Sequence, residues 1–259
     1  MNILKFFFRF ILSYNFMKKY SRKVLMFVTN IFFYKKKRLK SFGDFSLYLD
    51  LKEYTAWSYF FKKQEKEEEI FLRKVIKGTD NILDIGANLG FYSLLFSSLA
   101  PNGKIFSFEP STINFKKLSE NIELNKRINI KTFKMAISNK IGNSKLHLTG
   151  KENLNDGGNF IDENKKNYDF KTIEFENVQT DTLDNFLDKK IPFQLAKIDT
   201  EGHEINVLKG MTYLLENNLK FLLIETDTNF NEISLFLDKY NFKVLKKGNL
   251  NSIFEKVYS

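Results

Sequence analysis

Two short stretches hold most of the residues that could do chemistry. The first is Asp84-Ile85-Gly86-Ala87-Asn88-Leu89-Gly90, which follows a short apolar run and precedes the helix-like Phe91 to Leu99. It therefore reads as a strand-to-helix turn at the carboxyl edge of a sheet, where doubly wound folds bind ligands. Glycines at 86 and 90 would let the backbone come close to a ligand, and a helix start offers unpaired N–H groups to an anionic end. The spacing is not G-x-G-x-x-G and no Lys-Ser/Thr pair follows, which argues against nicotinamide dinucleotides and ATP. Glu109 ends the next apolar run, and a carboxylate there can accept hydrogen bonds from both hydroxyls of a ribose. A glycine turn beside a strand-end acid, in consecutive βα units, is the pattern of a nucleoside site.

The second stretch is Lys197-Ile198-Asp199-Thr200-Glu201-Gly202-His203-Glu204. It leaves a later strand at the same sheet edge and brings acids and one imidazole to where a second substrate would sit. A purely structural account is also open: Glu201 and Glu204 suit a helix's first turn, where the dipole favours acids, and His203 suits an exposed position beside the cap.

The elements that must position these residues follow from the periodicity. A strand is expected at Phe45 to Leu51, an aromatic stretch at Tyr54 to Phe61 and a helix at Glu65 to Ile76. Then strands at 81–85, 104–108, 130–137, 193–198 and 219–224 alternate with helices at 91–99, 111–124, 203–215 and 232–240, and two strands at 242–245 and 252–257 close the chain. Strands separated by helices of this length indicate a parallel sheet with right-handed crossovers. Short strand-like runs at Lys145 to Leu148 and Thr172 to Gln179 flank the polar stretch Gly150 to Lys166, which reads as a surface loop: a lid over the site, or a tolerated insertion.

The whole chain carries a formal charge of +10 over 259 residues, but residues 1 to 40 hold eleven Lys or Arg and no acid. From Ser41 onward 30 basic residues face 31 acidic ones, so the main domain lacks the basic footprint of a nucleic-acid binder. The division is a basic, Phe-rich arm over 1–44 and one α/β domain over 45–259. No apolar stretch of the arm approaches the ~20 residues of a spanning helix. Its aromatic and basic clusters fit either a helix lying on an anionic membrane or one packed on the domain or a second subunit. With no cysteine and two histidines, thiol chemistry, Cys-ligated zinc and a His-rich metal site are excluded.

The chain resembles the FkbM-type methyltransferases, in the turn Asp84 to Ser93, in Phe108-Glu109-Pro110 and in the block Lys197 to Gly210. Ala136-Ile137-Ser138, Thr182-Leu183-Asp184 and Glu225 add to the likeness, which runs from about Phe45 to the C-terminus. The resemblance implies a class I methyltransferase fold, Rossmann-like, doubly wound, with seven mostly parallel strands and an antiparallel last strand. It also implies S-adenosyl-L-methionine as methyl donor and a hydroxyl, most often on a saccharide, as acceptor. Carried over by position, Asp84, Gly86, Asn88 and Gly90 form the turn for the methionine end, Glu109 meets the ribose, and the backbone at Ala136 and Ile137 meets the adenine. In-line methyl transfer needs the acceptor oxygen aligned and its proton removed. Asp199 leads as the base, then Glu201, then His203, whose unperturbed pKa suits the task. Asp199 and Glu225 could instead hold Mg²⁺ against a sugar diol, since hard oxygen ligands suit it.

The expected product is an O-methylated saccharide, such as a cell-envelope glycan or its precursor, made in the cytoplasm with the arm on the inner membrane face. Methylation of a lipid or small hydroxylated metabolite is the alternative within enzymes, and a catalytically silent donor-binding scaffold the alternative outside them. No Asn/Asp-Pro-Pro-aromatic motif follows the fourth main strand, which disfavours nitrogen methylation of nucleic acid.

Overall fold

The computed structural model describes residues 37–51, 53–61, 66–148, 158–161, 174–227 and 229–258. The arm before residue 37, nearly all of the polar loop, and the start of the run from Thr172 lie outside the described residues. Among the described residues no helix is long and apolar enough to cross a membrane.

The first element is an antiparallel hairpin of β1 (Lys37–Ser41) and β2 (Ser46–Asp50), so β1 falls within the stretch that composition assigns to the arm. Among the described residues no further strand pairs with the outer edge of β2, and side chains take that place. Asn125 accepts from Ser46 N and donates to Ser46 O, while Asn121 accepts from Tyr48 N and donates to Leu89 O. Satisfying an edge strand in this way docks the hairpin on the helix that carries both asparagines.

Helices α1 (Tyr54–Phe61) and α2 (Lys66–Val75) lead to β3 (Ile82–Ile85), α3 (Phe91–Leu99), β4 (Ile105–Phe108), α4 (Thr112–Leu124) and β5 (Ile130–Phe133). Next come β6 (Ala136–Ile137), β7 (Gly142–His147), β8 (Phe175–Asp181), α5 (Leu183–Phe186), β9 (Phe193–Ile198), α6 (Glu204–Lys209) and α7 (Thr212–Asn217). The chain ends with β10 (Leu219–Glu225), α8 (Phe230–Asp238), β11 (Phe242–Lys247) and β12 (Asn251–Lys256).

The central sheet has seven strands in the order β11-β12-β10-β9-β3-β4-β5, and β12 runs antiparallel to both its neighbours. Strand alternation splits the core in two. Ile82, Ile105, Leu195, Phe221 and Leu223 face α1 to α3 and the hairpin, whereas Leu83, Ile85, Phe108, Ile198 and Leu222 face the helices from α5 onward. This is the doubly wound, mostly parallel seven-stranded architecture with an antiparallel last strand that the sequence leads one to expect.

Two expected elements divide. The single strand expected over 130–137 becomes β5 and β6 in different sheets, because β4 ends opposite Phe133 and leaves no ladder partner beyond it. Ala136 and Ile137 pair with Thr180 and Asp181 instead, in a small sheet ordered β6-β8-β7. The helix expected over 203–215 breaks at Gly210, whose Cα lies so close to the Ser138 carbonyl that a Cβ would sit 1.9 Å from it. Asp184 of α5 then caps α7 from outside, accepting from Tyr213 N, Leu214 N and Thr212 Oγ1 at 2.9, 3.3 and 3.1 Å.

Candidate active site

On the α1 to α3 side of the sheet, side chains change from apolar to polar toward the carboxyl ends of the strands. Ile82 gives way to Asp84, Ile105 to Ser107 and Glu109, Leu195 to Lys197 and Asp199, and Leu223 to Glu225. The register sets Asp84 directly opposite both Ser107 and Lys197.

Asp84 is fully buried, its Oδ2 accepting from Ser93 Oγ at 2.6 Å and its Oδ1 lying 3.8 Å from Lys197 Nζ. Burial pushes its carboxyl above the ordinary range, with Lys197 and Ser93 pulling it back. Lys197 Nζ sits 3.1 Å from Asp199 Oδ2 and 4.9 Å from the Tyr92 ring centroid. Burial alone would lower its ammonium, but Asp199 and Asp84 outweigh that and hold it above its usual value. Tyr92 in turn donates its hydroxyl to the buried Glu68 at 2.7 Å, tying α2 to this floor.

The turn after β3 is shaped by the protein's own contacts. Gly86 has φ +80°, and a Cβ on it would lie 1.8 Å from the Asp199 carbonyl oxygen. Gly90 has φ +95°, and its Cβ would lie 2.7 Å from Leu118 of α4. Gly86 is therefore required by the Asp199 backbone, and both glycines by their positive φ, whether or not a ligand also approaches them. Asn88 is also left-handed at φ +50°. Its N–H donates to Glu109 Oε2 at 2.9 Å, while its buried Oδ1 has no hydrogen-bond partner among the described residues. Glu109 Oε1 accepts from Ser111 N at 2.9 Å. Burial raises the Glu109 carboxyl to about 7, against the two backbone N–H groups that favour its charge.

The segment after β9 is held from within. Glu204, buried, accepts at one oxygen from Thr200 N, Thr200 Oγ1 and Gly202 N at 2.9 to 3.0 Å. This fixes Glu201 at φ +54°, a left-handed conformation uncommon for a non-glycine residue. His203 is 7% exposed, so the exposed cap position read from sequence is corrected. Its Nε2 lies 2.9 Å from Ser138 Oγ and its Nδ1 3.2 Å from Asn206 Nδ2, so both ring nitrogens are engaged.

These parts line a cleft of about 170 Å³ at the carboxyl edge of the sheet. Gly86, Asn88, Glu109, Ala136, Ile137, Asp199, Glu201, His203 and Glu225 all line it. Asp84 and Gly90 do not: they lie beneath the floor and against α4, and act through Lys197 and Leu118. Carboxylate oxygens of Asp199, Glu201 and Glu225 fall within 4.8 Å of one another. Burial first, then Asp199 and Glu201, push the Glu225 carboxyl well above the carboxylate range.

Among the lining residues to which the sequence reading gives no role, three bring polar chemistry to the floor. Tyr59 comes from the stretch noted only as aromatic, and Tyr92 and Lys197 from inside the two motifs. Lys197 carried a usable signal: a lysine near the end of the strand Phe193 to Ile198, between Ala196 and Ile198, demands a buried counter-charge, and Asp84 is in register to supply it.

The sequence model of the methyltransferase FkbM domain matches residues 84–244. Methyltransferase sdnD of Sordaria araneosa is 28% identical over 156 residues, covering 50% of this chain and 60% of that protein. The hexuronic acid methyltransferase AglP of Haloferax volcanii is 26% identical over 151 residues, covering 56% of this chain and 55% of that protein. The chain thus matches somewhat over half the length of these curated relatives. Among solved structures, methyltransferase FkbM from Methylobacillus flagellatus KT is similar at a TM-score of 0.48 and 13% identity, covering 70% of this chain and 44% of that one.

Proposed function

The chain belongs to the methyltransferase FkbM domain family, and from that premise we propose that it is an S-adenosyl-L-methionine-dependent O-methyltransferase acting on a saccharide hydroxyl. The observation that carries this reading is Glu109, buried at the cleft wall with one backbone N–H on each oxygen. Each oxygen keeps a lone pair for a ribose hydroxyl. Asn88 Oδ1, which has no partner among the described residues, supports the same assignment, since a buried acceptor left without one costs about 1–3 kcal/mol and fits a donor group such as an amino or hydroxyl function.

S-adenosylmethionine supplies an electrophilic methyl group. The chain's own task is to hold the donor along Gly86, Asn88, Glu109, Ala136 and Ile137, and to take a proton from the acceptor oxygen. Asp199 is the base we assign, because it lines the cleft and its carboxylate is paired with Lys197. Glu201 stands beside it as the second choice. His203 is the third, since a base there must first give up its bond to Ser138 or Asn206. Asp199→Asn is expected to lower turnover by about 10²–10⁴-fold with S-adenosylhomocysteine binding retained; unchanged turnover would overturn the assignment, and a donor-binding scaffold would keep its function in that variant.

The saccharide acceptor is supported by the likeness to a hexuronic acid methyltransferase. The convergence of Asp199, Glu201 and Glu225 also favours a Mg²⁺ reading, in which these oxygens would hold the cation against a sugar diol. Full activity in excess chelator removes that role. The basic composition of residues 1–40 supports peripheral contact with an anionic membrane, tested by co-sedimentation with anionic against zwitterionic vesicles.

A further inference from the structure

Beyond His203, a second hollow of about 570 Å³ adjoins the cleft, and His203 with Ile161 lines both. Its other walls include Asn139 and Lys140 after β6, Asn143 and Lys145 of β7, Asn177 of β8 and Asn206 of α6. Lys145 and Asn177 are direct cross-strand partners. The floor is rigid. Ser138 N donates to Asp181 O at 2.8 Å, Ser138 Oγ meets His203 Nε2, and the Ser138 carbonyl presses on Gly210.

The lining has one consistent chemistry. An asparagine amide both donates and accepts, as a sugar hydroxyl does, so four of them in one hollow match a polyol surface. No carboxylate stands among the described residues that line it, whereas two ammonium groups do. Among the described residues neither lysine is in an ion pair, and Lys145 Nζ lies 4.5 Å from the Phe175 ring centroid. On the other side of His203 stand the acids Asp199, paired with Lys197, and Glu201, beside Glu225, whose carboxyl is pushed well above the carboxylate range and holds its proton. An anionic ligand spanning both would be repelled from the acid side and drawn to the lysines, which orients it with a neutral hydroxyl toward the acids.

Resting on the methyltransferase reading of the cleft, we infer that this hollow is the acceptor subsite and that the acceptor is an anionic saccharide. Its charged group, a carboxylate or a phosphate ester, is bound by Lys140 and Lys145, and the hydroxyl to be methylated passes His203 toward Asp199.

The test uses the full chain loaded with S-adenosylhomocysteine and titrated with glucuronate, glucose 6-phosphate and glucose. At least one anion is expected to bind roughly tenfold or more tighter than glucose. The double variant Lys140→Gln/Lys145→Gln should abolish most of that preference while leaving S-adenosylhomocysteine affinity unchanged, which also shows that the variant is folded. The tighter of the two anions identifies the source of the charge. Equal binding of all three probes, no binding of either anion, or a preference that survives the double variant overturns the inference and leaves the donor site intact. Failure of the unmodified chain to bind S-adenosylhomocysteine overturns instead the methyltransferase reading on which it rests.

Discussion

The pH dependence of donor binding tests the site most directly, because one carboxyl with a displaced pKa is assigned to it. Glu109 is 5% exposed, and burial raises its carboxyl to about 7. Only the ionised form can accept at both oxygens from the Asn88 and Ser111 N–H groups and from two ribose hydroxyls as well. Donor affinity should therefore be flat above pH 8 and fall about tenfold per unit below pH 7, reaching about 100-fold, or roughly 2.7 kcal/mol, at pH 5. In Glu109→Gln one amide N–H faces a backbone N–H, leaving a buried donor unpaired at a cost of about 1–3 kcal/mol. That variant should bind about 10–100-fold more weakly at pH 8, with a level pH profile.

Calorimetric titration with S-adenosylhomocysteine across pH 5 to 8.5 supplies both curves. A level profile in the unmodified chain, or a slope that persists in Glu109→Gln, would refute the assignment. The ligand-free protein has the opposite sign. Its folded Glu109 holds the proton better than the unfolded chain does, so that stabilisation is complete below the ordinary carboxyl pKa of about 4.3 and is lost as pH rises through 7. The amount at stake is on the order of 3 kcal/mol, and Glu109→Gln should lack that decline.

Lys197→Met leaves Asp84 buried beside no counter-charge, and urea unfolding should show a loss of about 3–5 kcal/mol, much of it restored by adding Asp84→Asn. Gly86→Ala forces a Cβ to 1.8 Å from the Asp199 carbonyl at a left-handed φ; a destabilisation of about 3 kcal/mol or more is expected, and a change under about 1 kcal/mol would contradict the close approach. Asp184→Ala removes the outside cap of α7 and should cost about 1–2 kcal/mol in the same assay, with S-adenosylhomocysteine affinity unchanged.

Much of the fold was legible because the parallel strands and their helices differ in period, and nearly every expected βα unit is present. The failures have local causes that no periodicity reveals. Residues 130–137 read as one strand, yet β4 ends opposite Phe133 and the chain must find new partners at Thr180 and Asp181. Residues 203–215 read as one helix, yet Gly210 is pressed against Ser138, a contact set by a residue 72 positions earlier in the numbering. The candidate site was legible to the extent that its residues sit at strand ends. Asp84, Glu109, Asp199 and Glu225 follow from that rule. Tyr59 does not, because it reaches the cleft from α1, ahead of the matched domain.

The same strand-end rule explains why Asp84 belongs to the motif without lining the cleft. A parallel strand buried on both faces is apolar except where a charge has its partner on the next strand. Asp84 on β3 and Lys197 on β9 are that pair, and the ammonium continues upward to Asp199. Asp84 thus holds Lys197, Lys197 holds Asp199, and the Asp199 carbonyl determines that residue 86 be glycine. The two sequence blocks are coupled through this chain of contacts, so a substitution in either one displaces the other, and a positioning role for Asp84 accounts for its place in the motif as fully as a ligand contact would.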